Sequence, residues 1–267
     1  MGRPLKPVVA SIGTTHPWNF AGIGRDIRVI EALGGVALTI VAGVSAQGGG
    51  AAPWREPLSP EAIAAQFASL ERAPIGAFRI GALLDVASVE AVVAGIASRP
   101  AVPVICDPVI VASDGTPLAT EATVRALAHS LFVRCTVITP NVPEAEALFG
   151  APLADAPAAI AAADDLRARS GARNLLLKGG HRKGEPVDIL ACESGAVETF
   201  STNRLAGQRR GTGCVLAAAL AYGMAAGMPV RDAVVFARAR VRAQWEDAAA
   251  LESLEAASRA AATAHHT

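Results

Sequence analysis

Aromatic side chains are scarce in this chain: phenylalanine, tryptophan and tyrosine make up 4% of its 267 residues, against 52% for hydrophobic residues as a whole. The core must therefore be aliphatic and rich in alanine, the composition of buried parallel strands covered by helices. Cysteine is rarer still. The four present (Cys106, Cys135, Cys192, Cys214) lie far apart with no Cys-x-x-Cys pair, which argues against a zinc site or a disulfide framework and fits a reducing compartment. A net charge is missing too. Lysine plus arginine equals aspartate plus glutamate at 24 each, so no overall field steers the protein to nucleic acid or membrane. No apolar run reaches the length of a membrane span without a glycine, proline or charge, and Met1–Pro7 lacks the layout of a secretory leader. A cytoplasmic protein with neither nucleic acid nor membrane as partner is expected.

Two phosphate-binding signatures are also absent. There is no Gly-x-x-x-x-Gly-Lys-Ser/Thr, which excludes a P-loop enzyme. Gly22-Ile23-Gly24 opens a helical segment, but position 27 is isoleucine where the dinucleotide fingerprint needs its third glycine.

What the chain has is alternation. Short aliphatic runs (Val8–Ile12, Val36–Val44, Ala77–Leu83, Val102–Cys106, Thr136–Thr139, Leu175–Lys178) are separated by helical segments (Gly22–Leu33, Pro60–Arg72, Val86–Ser98, Glu121–Phe132, Pro143–Phe149, Pro157–Arg169). Val187–Cys192 and Ala196–Thr202 flank Glu193-Ser194-Gly195, a hairpin signal, and helices Cys214–Ala226 and Val230–Asp247 follow. This predicts an α/β fold: a mainly parallel central sheet with helices on both faces and an antiparallel hairpin at one edge. Residues 1–250 read as one domain and 251–267 as an Ala-rich tail, in which His265-His266 is poor support for a metal site. Gly48–Pro53 reads as a flexible loop.

Ligands of such sheets bind beyond the carboxyl ends of the strands, and the polar clusters fall there. Asp107 follows one strand, Asn141 and Glu144 the next, and Lys178 with Gly179-Gly180 a third. Gly211-Thr212-Gly213-Cys214 precedes an apolar helix, whose free N–H groups suit an oxyanion or phosphate and lower the pKa of a thiol placed there. Asp107, Glu144 and the Asn141 amide are hard oxygen donors suited to Mg²⁺ and its waters. Lysine, metal and anion site together describe phosphoryl transfer. Each residue alone has a plainer reading: Glu144 and Asn141 as helix-start residues, Asp107 as a turn cap, Lys178 as surface, Gly-Thr-Gly as a turn and Cys214 as a small buried hydrophobe.

On these residues the chain resembles the ribokinase-like superfamily, and within it the hydroxymethylpyrimidine and phosphomethylpyrimidine kinases of thiamine biosynthesis. The matching segments, in the family's order, are Ala21–Gly34, Val44–Gln47, Asp107–Leu118, Ile138–Leu148, Leu177–His181 and Gly211–Cys214. The resemblance implies a three-layer α/β/α sandwich and an ATP- and Mg²⁺-dependent kinase acting on a hydroxymethyl group or a phosphomonoester. It makes Cys214 the base at the acceptor hydroxyl and Gly211, Thr212 and Gly213 the anion hole, with Thr212 and Asn141 also on the nucleotide side. Lys178 serves the transferring phosphate, while Asp107 and Glu144 organise the metal. Asp26 and Gln47 match the pyrimidine-binding carboxylate and amide, with Gly13 and Ala82 beside them. It also implies a homodimer.

The sequence departs from the family near the acceptor. The loop after the first strand is Thr14-Thr15-His16-Pro17-Trp18-Asn19-Phe20 instead of Gly- and Ser-rich, Gly24 and Arg25 replace Gln and Ala, and Gly48-Gly49 replaces Asn-Thr. Ala82 replaces Met and Arg210 replaces His. The catalytic residues are retained while the acceptor pocket is rewritten. Three readings follow: a hydroxymethylpyrimidine (phosphate) kinase; a same-fold kinase for another heterocyclic alcohol such as a pyridoxal-like one; and a non-catalytic ligand-binding protein.

Overall fold

The computed structural model describes residues 6–46, 54–111, 117–180, 185–201, 203, 211–243, 253 and 256. The described strands join one nine-stranded sheet. Its parallel centre comprises β2 (Val36–Ala46), β1 (Val8–Thr15), β4 (Ala77–Ile80), β5 (Val104–Cys106), β6 (Val137–Ile138) and β7 (Asn174–Leu177). The expected hairpin, β8 (Val187–Ala191) with β9 (Val197–Ser201), closes one end antiparallel. The other end is antiparallel as well, because β3 (Trp54–Pro57) pairs with β2. The sequence reading has no strand there. Trp-Arg-Glu-Pro lacks apolar alternation, and three of its four residues are exposed, as suits an edge strand.

Side-chain alternation splits each central strand between two cores. Ile12, Phe78, Ile80, Val104, Ile138, Leu175 and Leu177 pack with α2 (Pro60–Ser69), α3 (Val86–Ala97), α5 (Val142–Phe149) and α6 (Ala156–Ser170). Val9, Ala77, Ile105, Val137 and Leu176 face α1 (Gly22–Ala32), α7 (Thr212–Ala225) and α8 (Val230–Ala243). The result is the three-layer α/β/α arrangement. The second face is lined mainly by small residues of α7: Ala217, Ala218, Ala219 and Ala221 are all fully buried, as expected of a helix apolar all round. Each fully buried leucine or isoleucine in these cores contributes about 1.5–3 kcal/mol.

Helix starts follow their capping chemistry. Ser59, Asp85 and Asp155 accept the N–H of the residue three on, at α2, α3 and α6. The segment read as one helix over Glu121–Phe132 is α4 (Glu121–Ala126), then a π turn to Leu131 and a 3-10 turn over Phe132–Arg134. Among the described residues no helix is long and apolar enough to cross a membrane. Gln47, the loop 48–53, His181, Arg210 and the paired histidines of the tail lie outside the described residues.

Candidate active site

The residues that face α1 and α7 are apolar until each strand ends, and there they turn polar. Two positions beyond Val9, Ala77, Ile105, Val137 and Leu176, on the same face, come Ser11, Arg79, Asp107, Thr139 and Lys178. Register staggers them: Ser11 pairs with Arg79 across β1 and β4, but Arg79 pairs with Ile105 across β4 and β5, so Asp107 and Thr139 stand two residues further along their strands. Five polar side chains thus gather toward the carboxyl ends of the parallel strands, where ligands of such sheets bind. Asp107 and Lys178 were expected there. Arg79, Ser11 and Thr139 were not, although a lone arginine in the apolar run Ala-Phe-Arg-Ile was a visible signal.

Arg79 is 1% exposed and sits between two carboxylates. Its Nη1 lies 3.3 Å from Asp26 Oδ2 and its Nη2 3.5 Å from Asp107 Oδ2. Asp26, from α1, also accepts the Ser11 hydroxyl at 2.6 Å. Asp107 accepts Lys178 Nζ at 2.5 Å and the Thr139 hydroxyl at 3.2 Å, both on Oδ1. Burial would raise both acids. In Asp107, Lys178 and Arg79 overcome it and hold the carboxyl below its ordinary range. In Asp26 burial prevails over Arg79 and Ser11 and lifts the carboxyl to about 6. Burial would likewise lower the Lys178 ammonium, but Asp107 and Glu144 raise it above its usual value.

Asn141 and Glu144 form a reciprocal cap on α5. The Glu144 N–H donates to Asn141 Oδ1 at 2.8 Å, and the Asn141 N–H donates to Glu144 Oε2 at 2.7 Å. The helix-start reading therefore holds for both, and it places the Glu144 carboxylate 3.8 Å from Lys178 Nζ. Burial lifts Glu144 to about 7 against the pull of Lys178 and the Asn141 N–H. Behind Lys178, the Gly179 N–H donates to Asp188 Oδ1, whose other oxygen accepts Arg238 Nε of α8, each at 2.8 Å. A side chain at Gly179 would meet the Val187 carbonyl.

The start of α7 has no side-chain cap, since its N-cap Gly211 is in the left-handed region at φ 74°. Its first N–H groups are left for a ligand. Glycine is required at 211, where a Cβ would fall 2.0 Å from the Phe20 carbonyl; at Gly213 a Cβ would lie close against the site, 3.3 Å from Lys178 Nζ and 3.4 Å from Asp107 Oδ2. The Gly-Thr-Gly start of α7 thus abuts the lysine–carboxylate pair on one side and the 14–20 loop on the other. Cys214, 8% exposed, follows it. A lowered thiol pKa was expected at this helix start; instead burial pushes the thiol above its usual value. The Arg79 charge and a hydrogen bond from the Gly22 backbone N–H act the other way, favouring the thiolate.

The 14–20 loop packs on itself and on the start of α1. The Ala21 N–H donates to His16 Nε2 at 3.3 Å, the His16 and Phe20 rings lie 4.6 Å apart, and Phe20 is buried. Asn19 has a left-handed φ of 53°, and its side-chain oxygen fills the space where a Cβ at Gly24 would stand, 1.9 Å away. The bulky loop and the loss of the side chain at 24 are therefore one change. Gly13 faces Ala82, whose carbonyl oxygen would lie 3.4 Å from a Cβ at 13, so these two bring the ends of β1 and β4 together. Of the residues picked out in the sequence, Asp26, Asp107, Glu144, Lys178, Gly213 and Cys214 are linked by contact or charge.

The model of the phosphomethylpyrimidine kinase family matches residues 18–257. A hydroxymethylpyrimidine/phosphomethylpyrimidine kinase of Rhizobium meliloti is 31% identical over 93% of this chain and 94% of its own length. The thiamine biosynthesis bifunctional protein ThiED of Geobacter sulfurreducens is 34% identical over 84% of this chain, which spans 46% of that longer protein. In structure, a phosphomethylpyrimidine kinase of Clostridium difficile superposes with a TM-score of 0.79 at 24% identity, covering 89% of this chain and 98% of its own. The fold is thus the ribokinase-like one, and the chain belongs to the phosphomethylpyrimidine kinase family of phosphotransferases.

Proposed function

We propose that this protein transfers the γ-phosphoryl group of ATP to hydroxymethylpyrimidine and then to its phosphate. The observation that carries the reading is the meeting of Lys178, Asp107 and the uncapped start of α7, with Cys214 and Asp26 beside them. The acceptor hydroxyl, next to Cys214, gives its proton to the sulfur as its oxygen bonds to the γ-phosphorus and the bond to ADP breaks. Lys178 and the N–H groups of α7 stabilise the charge on the transferring phosphoryl. Arg79 and the Gly22 N–H favour the thiolate that this step needs.

The donors suit Mg²⁺ as a partner of the nucleotide. Asp107, just after β5, and Glu144, in the first turn of α5, are hard oxygen ligands, but among the described residues no three histidine, cysteine or acidic side chains converge as a metal cage. An ion held there would keep waters and share the phosphates, and would supply charge neutralisation. On the acceptor side, Asp26 Oδ1 is buried without a hydrogen-bond donor among the described residues, an acceptor ready for an amino or ring N–H. We also read the protein as a cytoplasmic homodimer. Support for pairing is the β3 end of the sheet, where Trp54 is 54% exposed and Val44 of β2 is 37% exposed.

The test is ATP consumption with Mg²⁺ over a panel of hydroxymethylpyrimidine, its phosphate, pyridoxal, pyridoxine and no acceptor. Acceptor-dependent turnover with either pyrimidine is expected. Turnover confined to pyridoxal or pyridoxine would replace the acceptor, and ATP binding without turnover on any of them would remove the kinase reading for this panel. Cys214→Ala is expected to lower kcat by about 10²–10⁴ with nucleotide affinity kept; unchanged turnover would exclude Cys214 as the base.

A further inference from the structure

We propose that Arg79 is a positioning residue of the phosphoryl transfer: its guanidinium ties Asp26 on the acceptor side to Asp107 on the phosphate side, and so sets the register in which acceptor and phosphoryl group meet at Cys214. The inference rests on the kinase reading above. An arginine in the middle of a parallel sheet is costly, and an aliphatic side chain would serve packing at least as well. The neighbours of Arg79 on its own strand, Ala77, Phe78 and Ile80, are all apolar and buried, so nothing in the β4 core calls for a cation.

What calls for it lies at the site. One terminal nitrogen faces Asp26 and the other Asp107, at 3.3 and 3.5 Å, so a single rigid fork spans both carboxylates. These separations are those of charge contacts rather than tight hydrogen bonds, and Nε and Nη2 have no hydrogen-bond partner among the described residues. The guanidinium also meets the Cys214 thiol, through charge and a hydrogen bond, so the fork stands beside the sulfur that gains charge in the transfer. Space is also kept for it. A Cβ on Gly81, two residues along the same face, would stand 2.1 Å from Nη1, so glycine at 81 provides the shelf on which the guanidinium rests.

The experiment compares the unsubstituted enzyme with Arg79→Met, Arg79→Lys and Gly81→Ala, measuring kcat, acceptor KM, nucleotide Kd and Tm. Acceptor-dependent turnover by the unsubstituted enzyme comes first, because its absence overturns the kinase reading and leaves Arg79 without a reaction to serve. Given turnover, Arg79→Met is expected to lose about 100-fold in kcat with nucleotide Kd within about threefold, as for a small misplacement of reacting groups. Arg79→Lys is expected to recover about a tenth or more of the activity, because it returns the charge without the fork. Arg79→Met with kcat within about threefold of the unsubstituted enzyme, or Arg79→Lys no better than Arg79→Met, would overturn the proposal. If Arg79→Met does not fold, Gly81→Ala decides. It keeps every charge but displaces the guanidinium, and is expected to cost about 10-fold in kcat with nucleotide Kd unchanged; full kcat there overturns the proposal.

Discussion

Asp26 and Asp107 are the same residue type, both at most 1% exposed, and each faces one nitrogen of the same arginine. They nevertheless diverge. Asp107 is held below the ordinary carboxylate range and Asp26 is lifted to about 6. A hydroxyl does not account for the difference, since Ser11 donates to Asp26 and Thr139 to Asp107. Lys178 does, because of the two aspartates it touches only Asp107. One guanidinium cannot compensate two carboxylates taken out of water, and the second cation decides which of them stays firmly charged. The division matches the chemistry. In the proposed reaction a metal ion accompanying the phosphates calls for a permanent negative charge at Asp107, whereas a heterocycle with hydrogen-bond donors calls for an acceptor such as Asp26.

Removing the second cation is the strongest way to break this contrast. In Lys178→Met, Asp107 is left with Arg79 alone and should titrate upward like Asp26, while the phosphoryl group loses a counter-charge. We expect kcat to fall by about 10²–10³ and nucleotide KM to rise, read from steady-state kinetics. A fall of less than about threefold would mean that Lys178 compensates Asp107 without serving the phosphate.

Stability against pH should separate the two acids next. Folded Asp26 binds its proton up to about pH 6, whereas in the unfolded chain an aspartate releases it near ~3.9. Between these values the folded state holds more protons, so this group makes stability fall as pH rises, by roughly 2–3 kcal/mol in all. Glu144, lifted to about 7, acts in the same direction. Asp107 is the reverse: its contribution is present above the unfolded value and is lost as pH drops through its depressed folded value. Denaturant midpoints taken from pH 3 to 8 should show Asp26→Asn flattening the fall between about pH 4 and 6, and Asp107→Asn removing the acid loss below about pH 4. If both substitutions change the same limb, the two carboxylates do not differ as described.

Much of this site was legible because phosphoryl transfer uses residues with distinctive local surroundings. Gly-Thr-Gly-Cys before an apolar helix, Asn-Val-Pro-Glu after a strand and Lys-Gly-Gly after another each stand out in a one-dimensional reading. The alternation of strands and helices likewise gave the parallel sheet and its late hairpin. What could not be read depends on packing across the sheet. Ser11, Arg79 and Thr139 gain their meaning only from register, which aligns residues far apart in the chain. The elevated Cys214 thiol depends on how completely α7 is covered, a property that its helix-terminal position does not reveal. Gly24 looked like a simple departure from the family until Asn19 was found occupying the space it leaves. β3 was hidden because an exposed edge strand carries no apolar pattern.

The gentlest change sharpens the comparison without touching a charge. Ser11 Oγ donates to Asp26 Oδ2 at 2.6 Å and lowers that carboxyl. Ser11→Ala leaves Arg79 to act alone, so the Asp26 carboxyl should rise further, by about one unit or less for one hydrogen bond to a charged acceptor. If ionised Asp26 receives the acceptor, kcat/KM for the acceptor will climb through pH 6 in the unsubstituted enzyme and at a higher pH in the variant. The loss is then about 3- to 10-fold near pH 6 and vanishes by pH 8. Glu144 titrates in the same region in both proteins, so the displacement between the two profiles belongs to Asp26. Nucleotide KM should not move at any pH, because Ser11 has no contact with Asp107 and the Lys178 pair is left whole. A loss that persists at pH 8 would instead make Ser11 a wall of the acceptor pocket, and would leave the raised Asp26 without a part in binding.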